Sequence, residues 1–215
     1  MQLHRVVATV HSPVVAQPDE RRRAIGPQVP EADVVAVLVG EDGVGELHAV
    51  NPTVPGMEFR AVNPSEPIVA ELIEAMVSET SAHYGRIDVP SMPAGGPEQF
   101  GPPHGVFLVG YDEDGRAICG AGIKGLEPGV GEIKRMWVAP QARGRGVARA
   151  LLAALEDAAR SLGHERLRLD TGPKQPDAEH LYRSAGYEEI ANYNANYMAS
   201  FWGEKRLTLR GGPER

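Results

Sequence analysis

From Met57 onward the order of apolar and polar residues becomes regular. Glu58–Val62 alternates with the period of two expected of a strand with one buried face. Asn63-Pro64-Ser65-Glu66-Pro67 carries helix-start chemistry, with Ser65 as N-cap and Pro67 in the first turn. The helix is expected to reach about Tyr84, because Ile68, Leu72 and Met76, and beside them Val69, Ile73 and Val77, recur at helical spacing. Residues 85–105 are crowded with proline and glycine and read as a long functional loop. Met92, Phe100 and His104 are its candidates to meet a substrate, or else to fold down onto the body.

A β-meander follows: Val106–Tyr111, a turn at Asp114-Gly115, Arg116–Lys124, and after Pro128-Gly129 a third strand over Gly131–Val138. A strongly amphipathic helix is expected over Gly146–Leu162, with Val147, Leu151, Leu155 and Leu162 in one stripe and Gly163 as its stop. Beyond it lie a strand at Arg166–Asp170, a helix from Pro176 to Ser184, a strand at Tyr187–Ile190 and a last strand around Glu204–Leu209. This order predicts an α/β domain over 57–210: a mixed, mostly antiparallel central sheet with helices on both faces. Residues 1–56 read as a β-rich extension, with a hairpin of Val34–Val39 and Glu46–Val50, and 211–215 as a tail.

Composition narrows the class without naming it. The 215 residues are 42% hydrophobic and 24% charged, near the averages of globular domains. No apolar run approaches the roughly 20 residues of a membrane span, and no secretory leader is legible, so a cytoplasmic protein is expected. The single cysteine, Cys119, excludes an internal disulfide and suits a reducing compartment. The seven histidines show no metal-ligand spacing, so no metal is expected. A net charge of −7 argues against nucleic acid. Yet Lys134, Arg135, Arg143, Arg145 and Arg149 lie between Glu132 and Glu156 with no acidic residue among them, a basic island in an acidic chain.

Within that island, Val138-Ala139-Pro140-Gln141-Ala142-Arg143-Gly144-Arg145-Gly146-Val147-Ala148 joins a strand to the amphipathic helix. Pro140 ends the strand, Gly144 and Gly146 permit a tight loop whose amides converge, and the helix N-terminus adds a positive dipole end. Arg143 and Arg145 supply charge-assisted bonds to phosphate oxygens. A P-loop would need Gly-Lys-Ser/Thr at its end, and a dinucleotide fingerprint a small residue where Arg149 stands.

The stretch Gln141-x-x-Gly144-x-Gly146-x-Ala148 resembles the acetyl-CoA-binding signature of the GNAT acyltransferase superfamily, and the resemblance extends over about Met57–Leu209. It implies the GNAT fold and acetyl-CoA as cosubstrate. Met136, Trp137 and Val138 would line the pantetheine arm beside a splayed strand, and Gln141, Arg143, Gly144, Arg145, Gly146, Val147 and Ala148 would hold the phosphates. A second block, Gln175-Pro176-Asp177-Ala178-Glu179-His180-Leu181-Tyr182, is similar to the family's Asn-x-x-Ala-x-x-Leu-Tyr segment, with Gln175 where Asn is usual. It puts Tyr182 where the family often places the acid that protonates the departing thiolate, and it makes a homodimer plausible. The bland reading of Tyr182 is a half-buried tyrosine bonded to a carbonyl.

An alkylamine with a pKa near ~10 is mostly protonated at neutral pH, so amine attack on a thioester needs a proton acceptor, a side chain or a water chain. Glu132, on one face with Lys134, Met136 and Val138 by strict alternation, is the candidate base, with a solvated ion pair to a neighbouring lysine or arginine as its other reading. Tyr193, Asn194, Asn196, Tyr197 and Trp202 form a polar-aromatic cluster that either touches the acceptor or is a turn with a packed strand. The expected function is acetyl transfer to a primary amine of a small molecule; the alternatives are a protein or peptide amine acetyltransferase and a non-catalytic acyl-CoA-binding module.

Overall fold

The structure, a computed structural model, describes residues 48–50, 54–85 and 96–208, the first three as backbone alone. The expected strand at Val34–Val39 and Met92 of the long loop lie outside them. In chain order the elements are β1 (His48–Val50), β2 (Glu58–Val62), α1 (Pro67–Tyr84), β3 (Val106–Tyr111), β4 (Ala117–Glu127), β5 (Val130–Val138), α2 (Val147–Ser161), β6 (Arg166–Thr171), α3 (Pro176–Ser184), β7 (Glu188–Glu189) and β8 (Phe201–Arg206). Among the described residues the strands form one eight-stranded sheet in the order β1-β2-β3-β4-β5-β6-β8-β7. Every neighbouring pair is antiparallel except β5 and β6, which run parallel with α2 as their crossover. The expected mixed, mostly antiparallel sheet is borne out. Its first strand comes from residues 48–50, ahead of the point where the regular pattern begins.

Helices cover both faces, as expected. The alternation of β3 shows the division: Val106 and Leu108 join the main core with Leu151, Leu152 and Leu155 of α2, whereas Phe107 and Val109 pack with Val69 and Leu72 of α1. Phe100 takes the second of its two readings: it is packed down in this second core, edge-on to Phe107 with ring centroids 6.0 Å apart. The α2 stripe is buried as its pattern requires. Gly163 (φ 82°) ends the helix by bonding Arg160 O while His164 N reaches Ala159 O, the paired bonds of a Schellman cap.

Three local expectations are corrected. The N-cap of α1 is Glu66, not Ser65: the Asn63 carboxamide oxygen accepts from Ser65 N, and the Glu66 carboxylate accepts from Asn63 N, so the turn closes one residue later. The last strand is Phe201–Arg206 rather than 204–209, because Phe201 is a wholly buried core residue facing α3 and so starts the pleat. Finally, β5 does not alternate strictly. Opposite β4 its register jumps from Gly120↔Trp137 to Gly122↔Lys134, so Arg135 and Met136 together oppose Ala121. This is a β-bulge, with Arg135 at φ 57°. The extra residue flips the parity: Ile133 and Val138, five positions apart, both enter the α2-side core, with Met136 packed against it. Glu132 and Lys134 therefore lie on the α1 face, away from Met136 and Val138.

Candidate active site

Backbone pairing between β5 and β6 joins Val130, Gly131 and Glu132 to Arg166, Leu167 and Arg168, and stops there. Both strands continue, β5 to Val138 and β6 to Thr171, so a gap opens between them immediately beyond Glu132. Unpaired strand amides and carbonyls facing a gap are hydrogen-bonding groups in want of a partner. Met136, Trp137 and Val138 lie on β5 beyond the last paired residue.

At the end of β5, Pro140–Ala142 makes a single 3₁₀ turn, then Gly144 (φ 71°) and Gly146 (φ 82°) take left-handed backbone that other residues adopt only with strain. Gly146 is the N-cap of α2 and offers no side-chain cap, so the first amides of α2 point outward without an intrahelical acceptor. A Cβ at Gly144 would meet nothing within 4 Å, so the space before the loop is open. Arg145, Gly144 and Gln141 are exposed around this end, Val147 is buried beneath it and Ala148 half-buried. An anion fits here on backbone donors and dipole alone.

Arg143 is placed differently from Arg145. Its Nη2 donates to Glu79 Oε2 at 2.6 Å and its Nε to Val138 O at 2.9 Å. Trp137 Nε1 donates to the same Glu79 oxygen at 2.9 Å. Glu79 on α1 thus binds the loop before α2 and β5, and the Arg143 guanidinium, followed by the indole, holds its carboxyl below the usual carboxylate range despite partial burial.

Gln175 is the N-cap residue of α3, and its side-chain oxygen accepts from Thr171 Oγ1 at 3.0 Å and Gly172 N at 3.3 Å. The side chain thus reaches back three and four residues, and it fixes the approach of α3 to the open end of β6. Tyr182 then comes to rest 7% exposed with its hydroxyl donating to Met136 Sδ at 3.6 Å. Burial raises its pKa, and the nearby Asp170 charge adds to the rise, so the phenol is held protonated.

Glu132 is 0% exposed and does not form a solvated pair. Lys124 Nζ and Lys134 Nζ each approach one of its oxygens at 3.0 Å, Tyr193 Oη donates to Oε1 at 2.8 Å and Asn194 Nδ2 at 2.9 Å. Asp170 on β6 faces it across the gap, accepting from Lys134 Nζ at 2.6 Å, Asn196 Nδ2 at 2.6 Å and Asn194 Nδ2 at 3.0 Å. Burial alone would raise the Asp170 pKa; the Lys134 charge and these donors outweigh it and lower the pKa. Lys134, two residues along the same strand, is the neighbouring lysine the sequence offered, though the pair is buried; Lys124, Asn194 and the Asp170 beyond them were not legible, since they come from three other elements, and the one signal was the Asn-rich run 192–196. Of the terminal cluster, Tyr193, Asn194 and Asn196 enter this network and Trp202 Nε1 bonds Asn194 Oδ1 at 3.1 Å, while Tyr197 stays 81% exposed.

Cys119 is fully buried on β4, and burial pushes its thiol up to about 12. Among the described residues no group of three His, Cys, Asp or Glu side chains is arranged to hold a metal, and no helix is long and apolar enough to cross a membrane.

The site is thus a parallel strand pair that parts beside a glycine-rich helix start, in a mostly antiparallel sheet. The acetyltransferase (GNAT) family model matches residues 70–187, and the chain belongs to that family. It is 45% identical over 83 residues to IAA acetyltransferase of Azospirillum brasilense, a match covering 39% of this chain and 54% of the relative. It is 32% identical over 139 residues to the uncharacterised N-acetyltransferase YsnE of Bacillus subtilis, covering 60% of this chain and 91% of YsnE. The fold also superposes on spermidine N-acetyltransferase from Vibrio cholerae, solved in complex with CoA and spermine: TM-score 0.53, 15% identity, 72% of this chain and 97% of that one. The matched segment spans only 54–61% of the length of the first curated relatives.

Proposed function

We propose that this protein is an acetyl-CoA-dependent N-acetyltransferase that acetylates a primary amine of a small molecule by direct attack in a ternary complex. The observation that carries the reading is the parting of β5 from β6 beyond Glu132, with the Tyr182 hydroxyl presented at Met136 on one side of the opening. Pantetheine would lie along Met136–Val138 and the pyrophosphate at Gly144–Ala148. Arg145, and Arg143 once released from Glu79, would add charge. Backbone amides of β5 would stabilise the developing oxyanion. Tyr182, kept protonated by burial and Asp170, would give its proton to the departing sulfur. Glu132 would be the final acceptor of the amine proton.

The net charge of −7 favours a cationic acceptor such as a polyamine, amino acid or aminosugar. The lone buried thiol suits a reducing compartment, hence the cytoplasm, and a homodimer is the expected assembly. Release of CoA thiol from acetyl-CoA against a panel of amines tests the reading. Intersecting initial-rate lines are expected; parallel lines would contradict direct attack.

A further inference from the structure

The buried position of Glu132 poses a physical question that its base role must answer. A group with no exposed surface, ringed by Lys124, Lys134, Tyr193 and Asn194, cannot touch an amine arriving from solvent. The side chains placed to carry the proton to it are these four. The lysines are committed as ion-pair partners, Lys124 to Glu132 and Lys134 to Glu132 and Asp170. Asn194 is committed on both ends: its Nδ2 donates to Glu132 and Asp170 and its Oδ1 accepts from Asn196 N and Trp202 Nε1. Tyr193 alone of the four has a hydroxyl that can donate on one side and accept on the other. It is half-buried, reaching Glu132 while keeping surface toward solvent.

The loop that carries Tyr193 is built to hold it. Asn192 Oδ1 accepts from the amides of Asn194 and Ala195, Asn194 Oδ1 from that of Asn196, and Asn196 Oδ1 from that of Met198, three side-chain turns in series. Ala195 between them sits at φ 54°, a conformation costly for alanine that the network enforces. The Arg168 guanidinium lies over the Tyr193 ring, 5.4 Å from its centroid. Glu132 itself is the last β5 residue paired to β6, so Tyr193 sits at the mouth of the opening.

We propose that Tyr193 is a catalytic residue of this site: its phenol meets the acceptor amine and relays one proton to Glu132. This rests on the acetyltransferase reading above. An N–H bond of the incoming ammonium breaks as its proton forms a bond to Tyr193 Oη, and the proton already on Oη passes to Glu132 Oε1 over 2.8 Å. The amine is left neutral with its lone pair for the thioester carbon. After product leaves, the reverse path returns the proton to solvent.

The charged groups around the relay are Lys124 and Lys134 on Glu132, Asp170 beyond Lys134, and Arg168, itself paired to Glu127 and Glu204, over the ring. The test is kcat for the faster of two alkylamines, spermidine and lysine, from about pH 6 to about pH 9, on the unaltered enzyme, Tyr193→Phe and Glu132→Gln. Thermal melting confirms that each is folded, and calorimetry gives its acetyl-CoA affinity.

Both variants should lose about 10²–10⁴-fold in kcat near pH 7 with unchanged acetyl-CoA affinity. The loss should shrink as pH climbs toward the amine's own pKa of ~10, because solution then supplies neutral amine. A Tyr193→Phe loss that is the same at every pH would make the tyrosine a packing residue and overturn the relay. A fully active Tyr193→Phe beside a crippled Glu132→Gln would overturn the relay and leave Glu132 standing. An active Glu132→Gln would overturn both. If the unaltered enzyme acetylates no amine of the panel, the acetyltransferase reading falls and the relay with it.

Discussion

The hydroxyl of Tyr182 on α3 donates to the sulfur of Met136 on β5, 3.6 Å away, across residues 46 positions apart in sequence. A thioether is a weak acceptor, so this bond is readily exchanged for a better one. A CoA sulfur lying beside Met136 would be such a partner. Tyr182→Phe should therefore lower kcat by about 10²–10⁴-fold, while calorimetry finds CoA affinity nearly unchanged. Full activity in that variant would remove Tyr182 as the acid and leave the cofactor site intact.

The cofactor loop gives a binding prediction. Gly146 sits at φ 82° with Val54 Cγ2 3.8 Å from where its Cβ would be. Gly146→Ala adds backbone strain of about 1–2 kcal/mol, and Gly146→Asp adds to that a negative charge where phosphate is expected. CoA affinity should fall moderately in the first and by more than tenfold further in the second. Equal affinities for the two variants would place the pyrophosphate elsewhere.

How much of this was legible in the chain divides along the range of the interactions. The β3–β5 meander, α2 with its Gly163 stop and α3 follow from local periodicity and turn chemistry, and they stand within a few residues of the expected bounds. The bulge at Arg135 is invisible to any alternation rule, because one extra residue opposite Ala121 leaves no mark in composition. The partners of Glu132 were hidden for another reason. Tyr193 and Asn194 lie about sixty residues downstream, and only the topology that places β8 beside β6 brings them over β5. Glu79 binding Arg143, from a helix 64 positions earlier, is of the same kind.

Acid should act on Asp170. Its pKa is lower in the folded state than in the unfolded chain, so its contribution to stability is present above the unfolded value of about 4 and is lost as pH falls through the folded one. Asp170→Asn, which breaks the buried pair with Lys134, should cost about 3–5 kcal/mol at pH 7. Denaturant unfolding should show that gap closing as pH drops below about 4. A gap constant with pH would mean that packing, not charge, is what the substitution disturbs.

Cys119 gives the converse test. A thiol pushed up to about 12 by burial stays protonated and unreactive at neutral pH. Native protein should resist alkylation by iodoacetamide, and Cys119→Ala should keep its activity. Loss of activity in a folded Cys119→Ala would point to an acyl-enzyme.

The central claim is acetyl transfer from CoA to an amine, and the most direct measurement follows the acetyl group itself. The protein is incubated with acetyl-CoA carrying a deuterated acetyl group and each amine of a panel, and thiol release and labelled products are quantified together by mass spectrometry. The account predicts amine-dependent thiol release matched one for one by labelled N-acetyl amine. Thiol release that ignores the amine, or CoA binding with no labelled product across the panel, would contradict it.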